Sequence, residues 1–169
     1  MSEFFTHEFS SDIREFGVGK SRKVWYRVVF LPQAMESDLP FERFPRLRVD
    51  GEVADIPVNG AWIPAGDGRR YLILSPTVLK AARLKVGDMA HVRFRVADQD
   101  HVDVPQALLD EINQRPKEKK VWEGLTAGKK RALAFHVAGA KREDTIQRRV
   151  AEAMEAISER NGQIRKPRA

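Results

Sequence analysis

The stretch RRYLILSPTVLKAARLKVGDMAHVRFRVA (residues 69–97) changes period twice along its length, and that change decides the fold class. Its first part, RRYLILS (69–75), is short, apolar and aromatic, which predicts a strand. Ser75 then offers an N-cap oxygen and Pro76 a first helical residue, after which Val78, Leu79 and Ala82 fall on one helical face. Val86-Gly87-Asp88 closes that helix, and MAHVRFRVA (89–97) alternates as a half-buried strand does. Strand, short helix, turn and strand follow with no room for a long crossover.

Outward from this unit, VWYRVVFL (24–31), PRLRVDGEV (45–53) and DIPVNGAWIPA (55–65) are also short and bounded by Gly, Pro or Asp, so they predict three further strands. Gly66-Asp67-Gly68 supplies the positive φ angles of a hairpin turn into residues 69–75. Residues 1–23 mix Phe with Ser, Gly and charge in no clear period. They are expected to form an N-terminal arm, mobile or ordered by packing Phe4, Phe5 and Phe9 on the body.

After Asp100 the spacing becomes helical. PQALLDEINQRP, from Pro105 to Pro116, sets Ala107, Leu108 and Ile112 at helical intervals. Thr126 is placed to cap a helix lined by Leu133, Val137 and Ala140, and a last helix carries Ile146, Val150, Met154 and Ile157 before Asn161-Gly162. The expected fold class is α+β. A small six-stranded or similar β-barrel over 24–100 precedes a bundle of three or four helices over 105–160, and 161–169 is a frayed basic tail.

With 42% hydrophobic and 32% charged residues the chain can bury a core and does not read as disordered. It has no cysteine, which excludes a disulfide framework, a thiolate zinc site and cysteine nucleophilic catalysis, and fits a reducing cytoplasm. The first residues show no secretory pattern. The longest apolar run, VWYRVVFL, is broken by Arg27 and falls far short of the roughly 20 residues of a membrane helix. A soluble cytoplasmic protein without a membrane span is expected.

The net charge is +6, and from Arg115 onward there are 15 Lys plus Arg against 7 Asp plus Glu, leaving 15 against 17 before it. That puts the positive potential in the C-terminal third. It favours an anionic partner without choosing among nucleic acid, acidic protein and membrane surface.

Two stretches also carry a family likeness. From RVVFLP through GAWIPAGDGRRYLILSPTVLKAARLKVGDMAHVRFRVAD the chain resembles the DUF1905 domain, with Leu31-Pro32, the Gly66-Asp67-Gly68 turn and Val86-Gly87-Asp88 as the more specific marks. GLTAGKKRALAFHVAGAKREDTIQRRVAEAMEAI resembles the domain of YdeI/OmpD-associated, or bacteriocin-protection, proteins, through Ala140-Lys141, Thr145 and Arg149. Ile146 stands where that family's pattern has Arg, and Val150 where it has Ile. The resemblance covers roughly residues 24–158 and implies a double-split barrel similar to that of AbrB-like regulators, which bind DNA as dimers. It implies no reaction, cofactor or catalytic residue.

The candidate chemistry is sparse. His7, His91, His101 and His136 have no partner at a metal-binding spacing, and DQDHVD (98–103) fails as a calcium loop because Asp103 and Leu109 stand where Gly and Glu are needed. Gly66-Asp67-Gly68-Arg69-Arg70 feeds a strand, whereas a phosphate cradle opens a helix. Ser75 lacks a nucleophile elbow and reads as a cap. No catalytic or metal-binding residue is assigned.

Two surfaces remain. If Trp62 projects from the barrel beside Arg69 or Arg70, an aromatic and basic ligand surface results. Lys129, Lys130, Arg131, Lys141, Arg142, Arg148 and Arg149 offer a basic helical face, with Lys117, Lys119 and Lys120 before them; the plainer reading is a solvated exterior. The leading functional reading is a non-enzymatic binding or stress-protection protein acting on a macromolecule, as monomer or homodimer. The alternatives are a nucleic-acid binder and a small-ligand binder or enzyme with a barrel cleft.

Overall fold

The computed structural model describes residues 4–164, and the chain divides into two compact units, residues 1–99 and 100–169. Among the described residues the first unit holds seven strands, one short α-helix and a 3-10 helix at Gln33–Asp38. The strands and the α-helix are β1 (His7–Asp12), β2 (Arg14–Val18), β3 (Val24–Phe30), β4 (Leu47–Val53), β5 (Ile56–Pro64), β6 (Arg70–Ile73), α1 (Pro76–Ala82) and β7 (Met89–Val96). The strands form one sheet in the order β1-β7-β4-β5-β6-β3-β2, and every pairing is antiparallel.

The outermost strands of that sheet, β1 and β2, are consecutive in sequence and are joined by Ile13 alone. A flat sheet would hold its two edges apart, so this one curls until they meet at Ile13. The buried Ile13 is gripped on both sides of its backbone. Its N–H donates to the Asp88 carbonyl (2.9 Å), and the Gly87 N–H donates to its own carbonyl (2.8 Å). Gly87 sits at φ +92°, a conformation that costs an L residue energy, and the Asp88 carboxylate accepts from the Lys85 N–H at 2.9 Å. Val86-Gly87-Asp88 is therefore the clasp of the curl as well as the end of the α1 unit.

The region set apart as an arm supplies both edge strands. Their signal is weak because edge strands keep polar residues: in β1 the half-buried His7, Phe9 and Ser11 alternate with Glu8 and Ser10, which face solvent. Phe9 packs on the core as expected, while Phe4 and Phe5 lie under the guanidinium groups of Arg95 and Arg93, at 3.9 and 5.3 Å. Elsewhere the local reading holds. Ser75 Oγ accepts from the Val78 N–H (3.2 Å), and Gly66 and Gly68, both at positive φ, turn β5 into β6.

The second unit contains α2 (Gln106–Gln114), α3 (Pro116–Gly124), α4 (Ala127–Ala138) and α5 (Glu143–Arg160). Leu108, Ile112, Leu133, Val137, Ala153 and Ile157 form its core. Thr126 caps α4 and Asn161, at φ 47°, ends α5. Helix α3 had no sequence expectation: Lys117, Glu118, Lys119 and Lys120 give no apolar stripe, and Pro116 ends one helix while starting the next. Among the described residues, no helix is long and apolar enough to cross a membrane.

Candidate functional site

The first surface suggested by the sequence is not assembled. Trp62 lies opposite Leu47 on β4, points into the sheet unit and is wholly buried, its ring 5.4 Å from Phe94 and 5.9 Å from Phe9. Ile56, Val58, Gly60 and Trp62 share one side of β5, half-buried until the buried Trp62, and that alternation makes the Trp a core residue. Its Nε1 has no hydrogen-bond partner among the described residues.

Arg69 and Arg70 are instead engaged with other aromatic rings. The Arg69 guanidinium lies 4.1 Å from the Phe30 ring and donates to Asp67 Oδ2 at 2.7 Å, and that hydrogen bond holds the Asp67 carboxyl below the usual aspartate range. Arg70 stacks on Phe41 at 3.8 Å and donates to the Pro45 carbonyl at 2.9 Å. Beneath Arg69, Phe16, Phe30 and Tyr71 pack edge to face or tilted, and burial pushes the Tyr71 hydroxyl above its ordinary value. Both arginines hold loops to the sheet.

The basic residues of the helical unit fall at two ends of the antiparallel α4–α5 pair. At one end Lys129 Nζ donates to the Asn161 carbonyl (3.1 Å), Lys130 lies 5.8 Å from the Trp122 ring and Arg131 donates to the His101 carbonyl (3.3 Å). At the other, Arg149 donates to the His136 carbonyl (2.9 Å), Arg148 approaches Glu152 (3.9 Å) and Arg142 approaches Asp144 (3.5 Å), with Lys141 exposed. His136 itself sits 2.7 Å from Glu152. Among the described residues no group of three or more His, Asp or Glu side chains is placed to hold a metal.

What the helical unit does form is an open groove of about 470 Å³ between α2, the start of α3 and α5. Ala107, Ile146, Val150, Ala151 and Met154 give it an apolar lining. Glu111, Glu118, Glu143, Glu155 and Glu159 surround that strip, against Arg115 as the one cation in the lining. Arg115 is drawn to Glu111 (2.7 Å), and Arg160, outside the lining, to Glu155 (3.0 Å).

The geometry follows from helical spacing. Glu143, Gln147, Ala151, Glu155 and Glu159 make one i, i+4 row along α5, and Ile146, Val150, Met154 and Ser158 make the row beside it. From Glu143 to Glu159 the row runs about 24 Å at 1.5 Å per residue. Both rows are readable in the sequence, but the Lys and Arg excess of the C-terminal third masks the acidic face. Ile146, the departure from the family pattern, lies in the lining, where an Arg would have set a cation.

Comparison with known proteins gives two matches in chain order. Residues 9–94 match the family described as Domain of unknown function (DUF1905), and residues 101–160 match Bacteriocin-protection, YdeI or OmpD-Associated. No curated protein matches the chain.

Proposed function

Because the chain belongs to the DUF1905 family and carries a bacteriocin-protection, YdeI or OmpD-associated domain behind it, we propose that it is a non-enzymatic, cytoplasmic binding protein of the protection type. It takes a cationic, amphipathic peptide segment of a macromolecular partner into the groove of the helical unit. The observation that carries this reading is the groove in which Ile146, with the buried Val150 and Met154 beside it, is bordered by five glutamates against one arginine. Five carboxylates against one guanidinium leave the lining net negative, and a partner bringing both apolar anchors and positive charge is drawn to it as it covers Ile146. The length of the α5 row suits a helix laid along it with anchors at i, i+3 and i+4.

The resemblance of the β6, α1, Gly-Asp turn and β7 sequence to AbrB-like proteins supports a finer reading of the curled sheet as a double-split barrel. In this proposal the sheet unit is a platform and the groove is the binding site.

Isothermal titration of the whole chain with a synthetic amphipathic Leu/Lys helical peptide tests the proposal. Saturable binding that weakens with added salt is expected, and Ile146→Arg, which sets a cation on the groove floor, abolishes it. Absence of binding at low salt, or binding indifferent to Ile146→Arg, overturns the reading. Gel shifts with DNA and RNA at two salt concentrations form the competing arm: binding there without peptide binding transfers the function to nucleic acid.

A further inference from the structure

The hairpin of β2 and β3 reaches beyond the sheet. β3 pairs with β6 only over Val28, Val29 and Phe30, whereas its pairing with β2 continues to Val24. Residues 24–26 are thus paired only within a two-stranded ribbon, whereas the Arg27 carbonyl still accepts from the Leu74 N–H at 2.8 Å, and the outer part of the ribbon meets solvent on both faces. Val24 and Trp25 are neighbours in an extended strand, so they point to opposite faces, yet they are 52% and 60% exposed. Trp25 is registered against Gly17, and a Cβ there would sit 3.2 Å from the indole, so the small residue lets the ring lie across the ribbon.

The tip between the strands is cationic. Lys20, Arg22 and Lys23 are all exposed and no Asp or Glu occurs from Phe16 to Met35, while Arg27, at the base of the ribbon, faces Glu15 across it at 3.9 Å. Gly19 at φ +125° sets the turn, and a Cβ there would meet the Arg22 carbonyl oxygen at 2.3 Å. Sequence and turn chemistry together build a projecting arm with apolar side chains on both faces and positive charge at its end.

We propose that this arm docks the protein on an anionic lipid surface, independently of the peptide groove. The partner follows from the two-sided exposure. A nucleic-acid base covers one face of one ring, and leaves Val24 in water on the other side of the ribbon. A lipid interface surrounds the tip, taking Val24 and Trp25 at the level of the headgroups while the Lys and Arg side chains reach the lipid phosphates. Phospholipids with acidic headgroups are therefore the ligand class, and Trp25 is the interfacial anchor.

Flotation with phosphatidylcholine vesicles, with and without phosphatidylglycerol, is the direct test. Trp62 and Trp122 are buried, so a blue shift and quenching by brominated lipid report Trp25. Binding only to the acidic vesicles, weakened by salt, is expected. Replacing Lys20, Arg22 and Lys23 together by Gln should weaken partitioning on the order of 100-fold, from about fivefold per cation. Trp25→Ala should cost roughly tenfold, whereas Trp25→Leu, apolar but unable to stack, should keep most of the binding. Unfolding curves matching the parent chain show that each variant is folded. Failure to bind acidic vesicles at low salt, or unchanged binding by the triple Gln variant, overturns the proposal. So does single-stranded oligonucleotide binding lost in both Trp25→Ala and Trp25→Leu without vesicle binding.

Discussion

The β2–β3 arm and the α2–α5 groove are built on one plan with opposite signs of charge. In each, apolar side chains are flanked by ions of mainly one sign: Lys20, Arg22 and Lys23 beside the exposed Val24 and Trp25, and five glutamates against Arg115 along a groove floored by the half-buried Ile146 and the buried Val150 and Met154. Counted at the boundary between the units, residues 1–99 hold 15 Lys plus Arg against 13 Asp plus Glu, and residues 100–169 hold 15 against 11, so the units are +2 and +4. The basic third seen by cutting at Arg115 depended on leaving Asp100, Asp103, Asp110 and Glu111 on the other side. Regional charge totals therefore say little about a site; the signs that matter are those gathered around exposed apolar surface.

The contrast breaks most severely if the two units are one folding body. Trp62→Ala opens a large cavity in the sheet unit and should destabilise it by about 3–5 kcal/mol. Urea unfolding followed by circular dichroism and, in a Trp25→Phe background where Trp122 alone remains beside Trp62→Ala, by tryptophan fluorescence should show the sheet transition moving while the helical one stays. A single transition that moves as a whole would make the units inseparable. Gly87→Val tests the clasp on Ile13, where a branched residue at φ +92° should cost about 1–3 kcal/mol. Hydrogen exchange should then show the Ile13 amide losing protection.

Smaller effects sharpen the division of labour. Glu118→Lys should weaken binding of the cationic peptide about tenfold with little change in stability. Vesicle partitioning by the arm should not respond, and a response there would show that the two sites are one. The smallest effect concerns Asp67, whose carboxyl is held low first by the Arg69 side-chain hydrogen bond. A depressed carboxyl pKa stabilises the fold above its unfolded value, and that contribution is lost as pH falls through the folded one. Asp67→Asn should therefore remove a slight part of the stability loss seen below the ordinary aspartate range. The ion pair is solvent-exposed, so the change in an acid unfolding series is small.

Much of the molecule was readable where the deciding contact is near in sequence. The Ser75 cap reaches Val78, the Thr126 cap reaches Lys129, and Gly66 and Gly68 shape a turn between adjacent strands. Less was readable of the sites. Arg69 and Arg70 do meet aromatic rings, but the rings are Phe30 and Phe41 and not Trp62, whose partners Phe9 and Phe94 come from both ends of the first unit.

By itself the sequence determined that strands precede helices, where most of those elements begin and end, and which families the chain resembles, because caps, turns and periodicities act over a few residues. Only the tertiary structure decided that His7 pairs with Phe94, that Ile13 joins the two edges of the sheet, and that an acidic groove and a basic arm are left uncovered. Those depend on which distant segments come to share an edge or a face, and a weakly patterned edge strand such as His7–Asp12 acquires its identity from the partner that supplies its hydrogen bonds.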